Sequence, residues 1–220
     1  MFSLWGRLAL TSSALVFASG AFAAANCRPP APTALLERFT PADCEACWQS
    51  ASATPPAERV IVLDWIVPAA DGAPMAAAAL PEAAERAVHH APAAPLPARP
   101  ALRLRIADGP AWNGYVGLQL TATRERKLPA GAMAYAALVE RVPTGSDGTP
   151  VARQMVRAVV GPLTLQELAS QRTIHHLRAV RLPETERPER LASVAWVEDA
   201  SGRVIAAAQS PSAECMALKR

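Results

Sequence analysis

Two cysteines separated by two residues, Cys44 and Cys47, are the side chains of this sequence best placed to do chemistry. A CxxC pair at a helix start can carry out thiol–disulfide exchange, because the helix N-terminus favours the thiolate of the first cysteine. Cys44 is then the nucleophile, and Cys47 resolves the mixed disulfide. The carboxylates of Asp43 and Glu45 oppose thiolate formation, so we expect a less oxidising centre than neutral neighbours would give.

A carboxylate within a hydrophobic run could assist this exchange. Asp64 interrupts the run RVIVLDWIV at residues 59–67, and it could relay a proton to Cys47 if it lies near the sulfurs. The alternative is a structural aspartate, hydrogen-bonded where the strand ends. Trp48 and Trp65 could shield the sulfurs, although tryptophan at these positions also suits core packing.

Histidines offer a metal-binding alternative for the cysteine pair. The chain contains His89 and His90, and His175 and His176. Adjacent histidines point in different directions on a helix or a strand, so each pair supplies one convenient ligand at most. Because no second CxxC motif is present, we predict no metal site and no cofactor beyond the cysteines themselves.

The first residues of the chain are typical of a secretory signal peptide. Arg7 precedes an apolar run over residues 8–22, which ends in the cleavage pattern Ala21-Phe22-Ala23. We therefore predict a signal peptide at 1–25 and a periplasmic or secreted protein, with no stable membrane insertion after cleavage. A retained membrane anchor and a lipoprotein that carries its lipid on Cys27 are the alternatives.

Export places all four cysteines where disulfides persist. The economical pairing joins Cys44 to Cys47 and Cys27 to Cys215, which would tie the two ends of the mature chain together; four cysteines allow three connectivities. Closing so long a loop would stabilise the protein by about 4 to 5 kcal/mol in the chain-entropy model.

Composition limits the other classes of function. Aromatic residues make up 5% of the chain, so the core must come from leucine, valine and isoleucine, and the net charge of +3 is spread over mixed arginine and glutamate. Scattered charge of this kind does not indicate a nucleic-acid partner. The composition says nothing about the oligomeric state.

The first half of the chain has the element order strand, short helix, strand, helix. Residues 33–40 and 59–67 are predicted strands, a short helix follows Cys44, and a second helix begins near Pro81. The second apolar run is typical of a strand buried on both faces, and this order predicts a right-handed βαβ unit.

A proline-rich stretch at 91–100 is the predicted linker between two domains, at 26–90 and 101–220. Beyond it, apolar and polar residues alternate in several short runs separated by turn residues. This pattern predicts an antiparallel β-sandwich over about 101–210, including a hairpin at the turn DASG.

The segment LLERFTPADCEACWQS and the run at 59–67 together resemble the opening of exported bacterial thioredoxin-like proteins of unknown function. YAALVERV and LASVAWVEDASGRVIAAAQ resemble the small C-terminal β domain of that family. The resemblance implies an α/β thioredoxin-like unit followed by an all-β sandwich. It also implies a proline facing the cysteines, for which Pro100, before ALRLRI, is the candidate; if ALRLRI instead starts the sandwich, the thioredoxin-like unit is truncated.

These observations predict a thiol–disulfide oxidoreductase that acts on protein thiols or disulfides through Cys44 and Cys47. The alternative is a non-catalytic periplasmic binding or structural module in which both cysteine pairs are structural disulfides.

Overall fold

The computed structural model describes residues 29–50, 59–88, 95–182 and 187–211. The predicted signal peptide, Cys27, Cys215, His89 and His90 lie outside these residues. The described α-helices are α1 (Glu45–Trp48) and α2 (Pro81–Val88), and the described strands are β1 (Ala34–Pro41), β2 (Val60–Val67), β3 (Leu102–Asp108), β4 (Tyr115–Arg124), β5 (Met133–Val142), β6 (Arg153–Thr164), β7 (Thr173–Arg181), β8 (Leu191–Glu198) and β9 (Val204–Gln209).

These strands form two sheets. The larger sheet has the order β1-β2-β6-β5-β8-β9, and the smaller one has the order β3-β4-β7. The pairs β1–β2 and β2–β6 are parallel, whereas the other pairs are antiparallel. The predicted parallel pair and the β8–β9 hairpin are both present.

The two sheets pack face to face around the main hydrophobic core. β3 alternates buried and exposed residues, with Leu102, Leu104 and Ile106 turned inward against β8 and β9. β4 and β5 contribute Leu118 and Leu138 to the same core. This alternation is what a sandwich requires of a sheet with one face in water, so the predicted β-sandwich is confirmed.

The other face of the larger sheet holds a second hydrophobic cluster, against which α2 packs through Ala83. Leu63 and Trp65 of β2 and Trp196 of β8 belong to this cluster. Both faces of the sheet are therefore covered, which explains why β2 and β8 are almost continuously apolar in sequence. Pro81 begins α2, as predicted.

The predicted α/β thioredoxin-like unit is wrong. β2 does not belong to a separate parallel sheet covered by helices, because its second neighbour is β6, from the other half of the chain. The segment between β1 and β2 contributes only the four-residue helix α1 among its described residues. The protein is an almost entirely β structure in which β1 and β2 extend one sheet of the sandwich.

Residues of the predicted linker lie beside this extended sheet. The amide of Leu96 donates a hydrogen bond of 2.8 Å to the carbonyl of Thr33, at the start of β1. Pro100 lies just before β3, which belongs to the smaller sheet. The segment that follows Pro100 is therefore a strand of the sandwich. The larger sheet continues across the predicted boundary at 91–100, while the division into two domains stays a prediction.

Within the described ranges, no helix has the length and apolar character needed to span a bilayer.

Candidate functional site

Cys44, directly before α1, forms a disulfide with Cys47, which lies within α1. Cys47 is exposed to solvent, whereas Cys44 is half-buried, the opposite of the exposure expected for an attacking Cys44. The pair is not covered by the sandwich. Of the two cysteines, Cys47 is therefore the more open to solvent.

The helix that follows Cys44 gives its sulfur little electrostatic help. α1 has four residues, and its first turn carries Glu45. The backbone amide of Cys44 is already used, since it donates 3.0 Å to the carbonyl of Pro41. A single helical turn has a small aligned dipole, so the N-terminus of α1 lacks the strong partial positive charge on which the thiolate prediction depends.

Trp48, directly after Cys47, is built into the protein interior. Its indole N–H donates 2.9 Å to the carbonyl of Asp147, in the β5–β6 connection. The guanidinium of Arg153 donates 2.8 Å to the carbonyl of Trp48 and stacks 4.7 Å from the centre of its ring. The CxxC segment is thus fastened to β6. Arg153 also donates 3.1 Å to the hydroxyl of Thr149. We call Arg38, Trp48, Asp64, Thr149 and Arg153 the Arg153 cluster.

Asp64 supplies the negative charge of the Arg153 cluster. Arg38 binds its carboxylate with two hydrogen bonds of 2.7 and 2.8 Å, and Arg153 adds a third at 3.3 Å. The amide of Gln154 donates a fourth, at 2.8 Å. The side chain is 1% exposed. These partners are those of a structural aspartate, although Asp64 lies in the middle of β2 and not at its end. The proton relay to Cys47 stays a prediction.

A second arginine lies on the far face of the larger sheet. Arg86 of α2 donates to the carboxylates of Glu37, at 2.8 and 2.9 Å, and of Glu198, at 2.7 Å. Its guanidinium carbon lies 5.0 to 5.6 Å from the centres of three aromatic rings. The Arg86 cluster consists of Glu37, Trp65, Arg86, Tyr135, Trp196 and Glu198.

Charge and burial act in opposite directions at Arg86. Burial alone would lower the pKa of Arg86, but the hydrogen bonds and charges of Glu37 and Glu198 outweigh burial and raise it above its ordinary value. Glu198 also accepts the indole N–H of Trp196 at 2.7 Å. Arg86 is therefore a permanently charged anchor that holds α2 on the sheet. Trp65 belongs to this cluster and Trp48 to the Arg153 cluster, so both predicted sulfur shields pack in the interior.

The two described histidines lie on opposite faces of β7. His175 contacts the hydroxyl of Thr121 at 3.1 Å, and His176 contacts the carbonyl of Thr164 at 3.0 Å. In the part of the chain that the structure describes, no three potential metal ligands come together. The expected absence of a metal site stays a prediction.

A cleft of about 880 Å³ opens at one end of the sandwich, between the β4–β5 connection and the segment that follows β6. Its floor includes the buried side chains of Ala132, Leu165 and Leu168, with half-buried Leu128 beside them. This volume lies within the usual range for small-molecule sites.

The rim of the cleft is cationic. Among the described residues that line it, the positive side chains are Arg124, Arg126, Lys127 and Arg172, and the single carboxylate is Glu125. Sequence reasoning missed this site because it treated the basic residues as scattered. The signal was present in the run RERK at 124–127, which places three cations within four residues between two strands.

No family model matches this chain, and no curated protein matches it. Several solved structures are similar to it. HBP35 of Porphyromonas gingivalis is 12% identical and aligns over 83% of this chain and 76% of its own, with a TM-score of 0.55. A domain of the outer membrane lipoprotein Omp28 from the same organism is 13% identical and aligns over 53% of this chain and 91% of its own, with a TM-score of 0.39. A DUF3823 family protein from Bacteroides ovatus is 11% identical and aligns over 76% of this chain and 66% of its own, with a TM-score of 0.29.

The similarity to HBP35 therefore concerns the fold alone. It spans both sides of the predicted linker, in agreement with a larger sheet that is continuous from β1 to β9. The class that fold and site together define is a two-sheet β protein with an accessible CxxC disulfide and a cationic cleft.

Proposed function

We propose that this chain is an exported, non-catalytic binding module in which the Cys44–Cys47 disulfide is structural. The observation that carries the proposal is the attachment of the CxxC segment to the sandwich. Trp48 is 5% exposed, and Arg153 holds both its carbonyl and its ring. The disulfide closes the turn that presents Trp48 to this contact, so it braces the connection between β1 and β2.

Two further features support a role without turnover. The half-buried position of Cys44 disfavours attack by this residue, and the four-residue helix α1 supplies little thiolate stabilisation. Export to the periplasm or the cell exterior would keep the disulfide oxidised, and the predicted Cys27–Cys215 disulfide would add a second brace.

The competing function is thiol–disulfide exchange with protein thiols. One observation favours it: Cys47 is exposed, and exposed disulfides are more readily reduced than covered ones. In that case Cys47, rather than Cys44, would be the sulfur that a partner thiol attacks.

An insulin reduction assay together with the reduction potential of the Cys44–Cys47 pair separates the two functions. For a structural disulfide we expect no insulin reduction above background and a potential below about −300 mV. The matched variants Cys44→Ser and Cys47→Ser should behave alike. Insulin reduction by the wild type that either variant abolishes would overturn the proposal.

The structural role also predicts a defined loss of stability. The Cys44→Ser/Cys47→Ser double variant should remain folded but lose about 2 kcal/mol of unfolding free energy, the chain-entropy value for so short a loop. Urea unfolding followed by tryptophan fluorescence measures this change. Mass spectrometry of the mature protein checks the signal cleavage near residue 25 and the pairing of Cys27 with Cys215.

A further inference from the structure

The cleft at the end of the sandwich has cations without protein partners. The side chains of Arg124 and Lys127 make no ion pair or hydrogen bond within the described part of the chain. Arg126 donates only to backbone carbonyls, those of Arg99 and Pro100, so its charge is not neutralised by a carboxylate.

Glu125, the carboxylate of the rim, is already engaged elsewhere. It accepts a hydrogen bond from Arg103, which lies outside the cleft, and this bond holds the pKa of Glu125 below its ordinary value. Arg172 approaches the same carboxylate no closer than 3.9 Å. The rim therefore presents an uncompensated positive charge to whatever enters the cleft.

The floor has the opposite character. Its solvent-accessible apolar surface comes from half-buried Leu128 and Met133 and from exposed Pro129 and Ala169, which line the cleft together with the buried side chains of Leu165 and Leu168. An inorganic anion would use the rim but leave this apolar surface in water, and a neutral hydrocarbon would use the floor but not the charges. A ligand that satisfies both has an acidic head and an aliphatic tail.

Resting on the binding role proposed above, we infer that the cleft binds a soluble anionic amphiphile: a single alkyl chain that ends in a phosphate or carboxylate. The head group lies between Arg124 and Lys127 on the rim, where charge-assisted hydrogen bonds to the anion form. The alkyl chain lies along Leu128, Met133 and Pro129, which removes their apolar surface from water.

Calorimetric titration of the full mature protein with dodecyl phosphate, below its critical micelle concentration, tests this inference. Saturable binding is expected. The Arg124→Gln/Lys127→Gln variant should bind roughly 10- to 100-fold more weakly, because two charge-assisted contacts are lost. The matched variant Arg178→Gln/Arg181→Gln removes the same charge from the opposite end of β7 and should stay within about twofold of the wild type.

Variation of the ligand tests head and tail separately, without mutating the buried floor. Dodecyl phosphate should bind at least about tenfold more tightly than octyl phosphate, since four methylenes are added. Inorganic phosphate and neutral dodecyl maltoside should each bind at least about tenfold more weakly than dodecyl phosphate.

Three results would overturn the inference: no saturable binding of dodecyl phosphate, equal loss in the two double variants, or equally tight binding of dodecyl maltoside. Association with phosphatidylglycerol vesicles without binding of monomeric dodecyl phosphate would also overturn it, because the ligand would then be a membrane surface. The insulin assay is independent of these titrations, so failure of the ligand assignment and failure of the non-catalytic role are distinguishable.

Discussion

Arginine side chains gather in two kinds of place in this molecule, on the larger sheet and around the cleft, and their surroundings differ. Arg86 and Arg153 are each held by carboxylates and by aromatic rings, and Arg153 is only 4% exposed. Within the described residues, Arg124 and Lys127 of the cleft contact neither a carboxylate nor an aromatic ring. A buried cation that is fully paired fixes the fold, whereas a rim cation that is unpaired stays available to a ligand. The comparison predicts that mutations in the two places separate stability from binding.

The largest loss of stability is expected from mutation of the Arg153 cluster. Asp64→Ala leaves Arg153 buried without its carboxylate, which should cost about 3 to 5 kcal/mol of unfolding free energy. Urea unfolding measures the loss, and the exposed Asp71→Ala is the matched control, with an expected change of less than about 0.5 kcal/mol. Similar losses in the two variants would contradict a special role for Asp64.

Removal of Arg86 should have the next largest effect. Arg86→Ala leaves Glu37 and Glu198 without their shared cation and frees α2 from the sheet, for a loss of about 3 kcal/mol, reduced because the side chain is 18% exposed. Arg86→Lys should recover part of this loss, since it restores charge without the planar fork. Glu85→Ala, in the same helix, is the control. Equal stability of wild type and Arg86→Ala would show that α2 is held by other contacts.

Tyr135 of the Arg86 cluster should have a smaller effect on the unfolding free energy, and this effect depends on pH. Burial, with the charge of Glu198, raises the pKa of Tyr135 above its ordinary value of 10.0, while Arg86 partly opposes the shift. Because the pKa of Tyr135 is higher in the folded than in the unfolded protein, its neutral form contributes to the unfolding free energy. This contribution is complete below the unfolded-state pKa and is lost as pH rises through the folded-state pKa. Unfolding free energies from pH 8 to about 12 should fall less steeply for Tyr135→Phe than for wild type. Parallel curves would refute this assignment.

The cleft should show the smallest effect on stability. Arg124→Gln/Lys127→Gln should change the unfolding free energy by less than about 0.5 kcal/mol, since no protein partner is lost. The same variant is expected to lose ligand affinity, so stability and binding measured side by side test the contrast between the two regions. A loss of stability comparable to that of Arg86→Ala would mean that the cleft cations are structural.

Local patterns predicted much of the fold. Alternating residues located the strands of the sandwich, Pro81 located the start of α2, and the turn DASG located the β8–β9 hairpin. The continuous apolar run of β2 correctly indicated burial on both faces, but it could not reveal which elements provide the cover. A partner strand from the other half of the chain leaves no mark near 59–67, and the βαβ order was therefore mistaken for an α/β unit.

At the candidate site, too, the sequence predicted the local features but not those that depend on long-range contacts. The spacing of Cys44 and Cys47 predicted their disulfide, because it depends on neighbouring residues only. Their exposure depends on Trp48 being drawn inward by Arg153, a contact across 105 residues. The RERK run was visible, but whether its charges are free depends on Glu125 turning to Arg103 on a neighbouring strand.

The parallel contact between β2 and β6 also has a consequence for the order of folding. The amide of Gln154 meets Asp64 across 90 residues of sequence, so β2 has no strand on its second side until most of the chain is present. A chain that emerges from its N-terminus exposes this apolar strand edge before β6 is present, and such edges are prone to aggregation. Contacts of this range also slow folding. Residues 60–67 therefore keep an unpaired apolar edge until β6 is present.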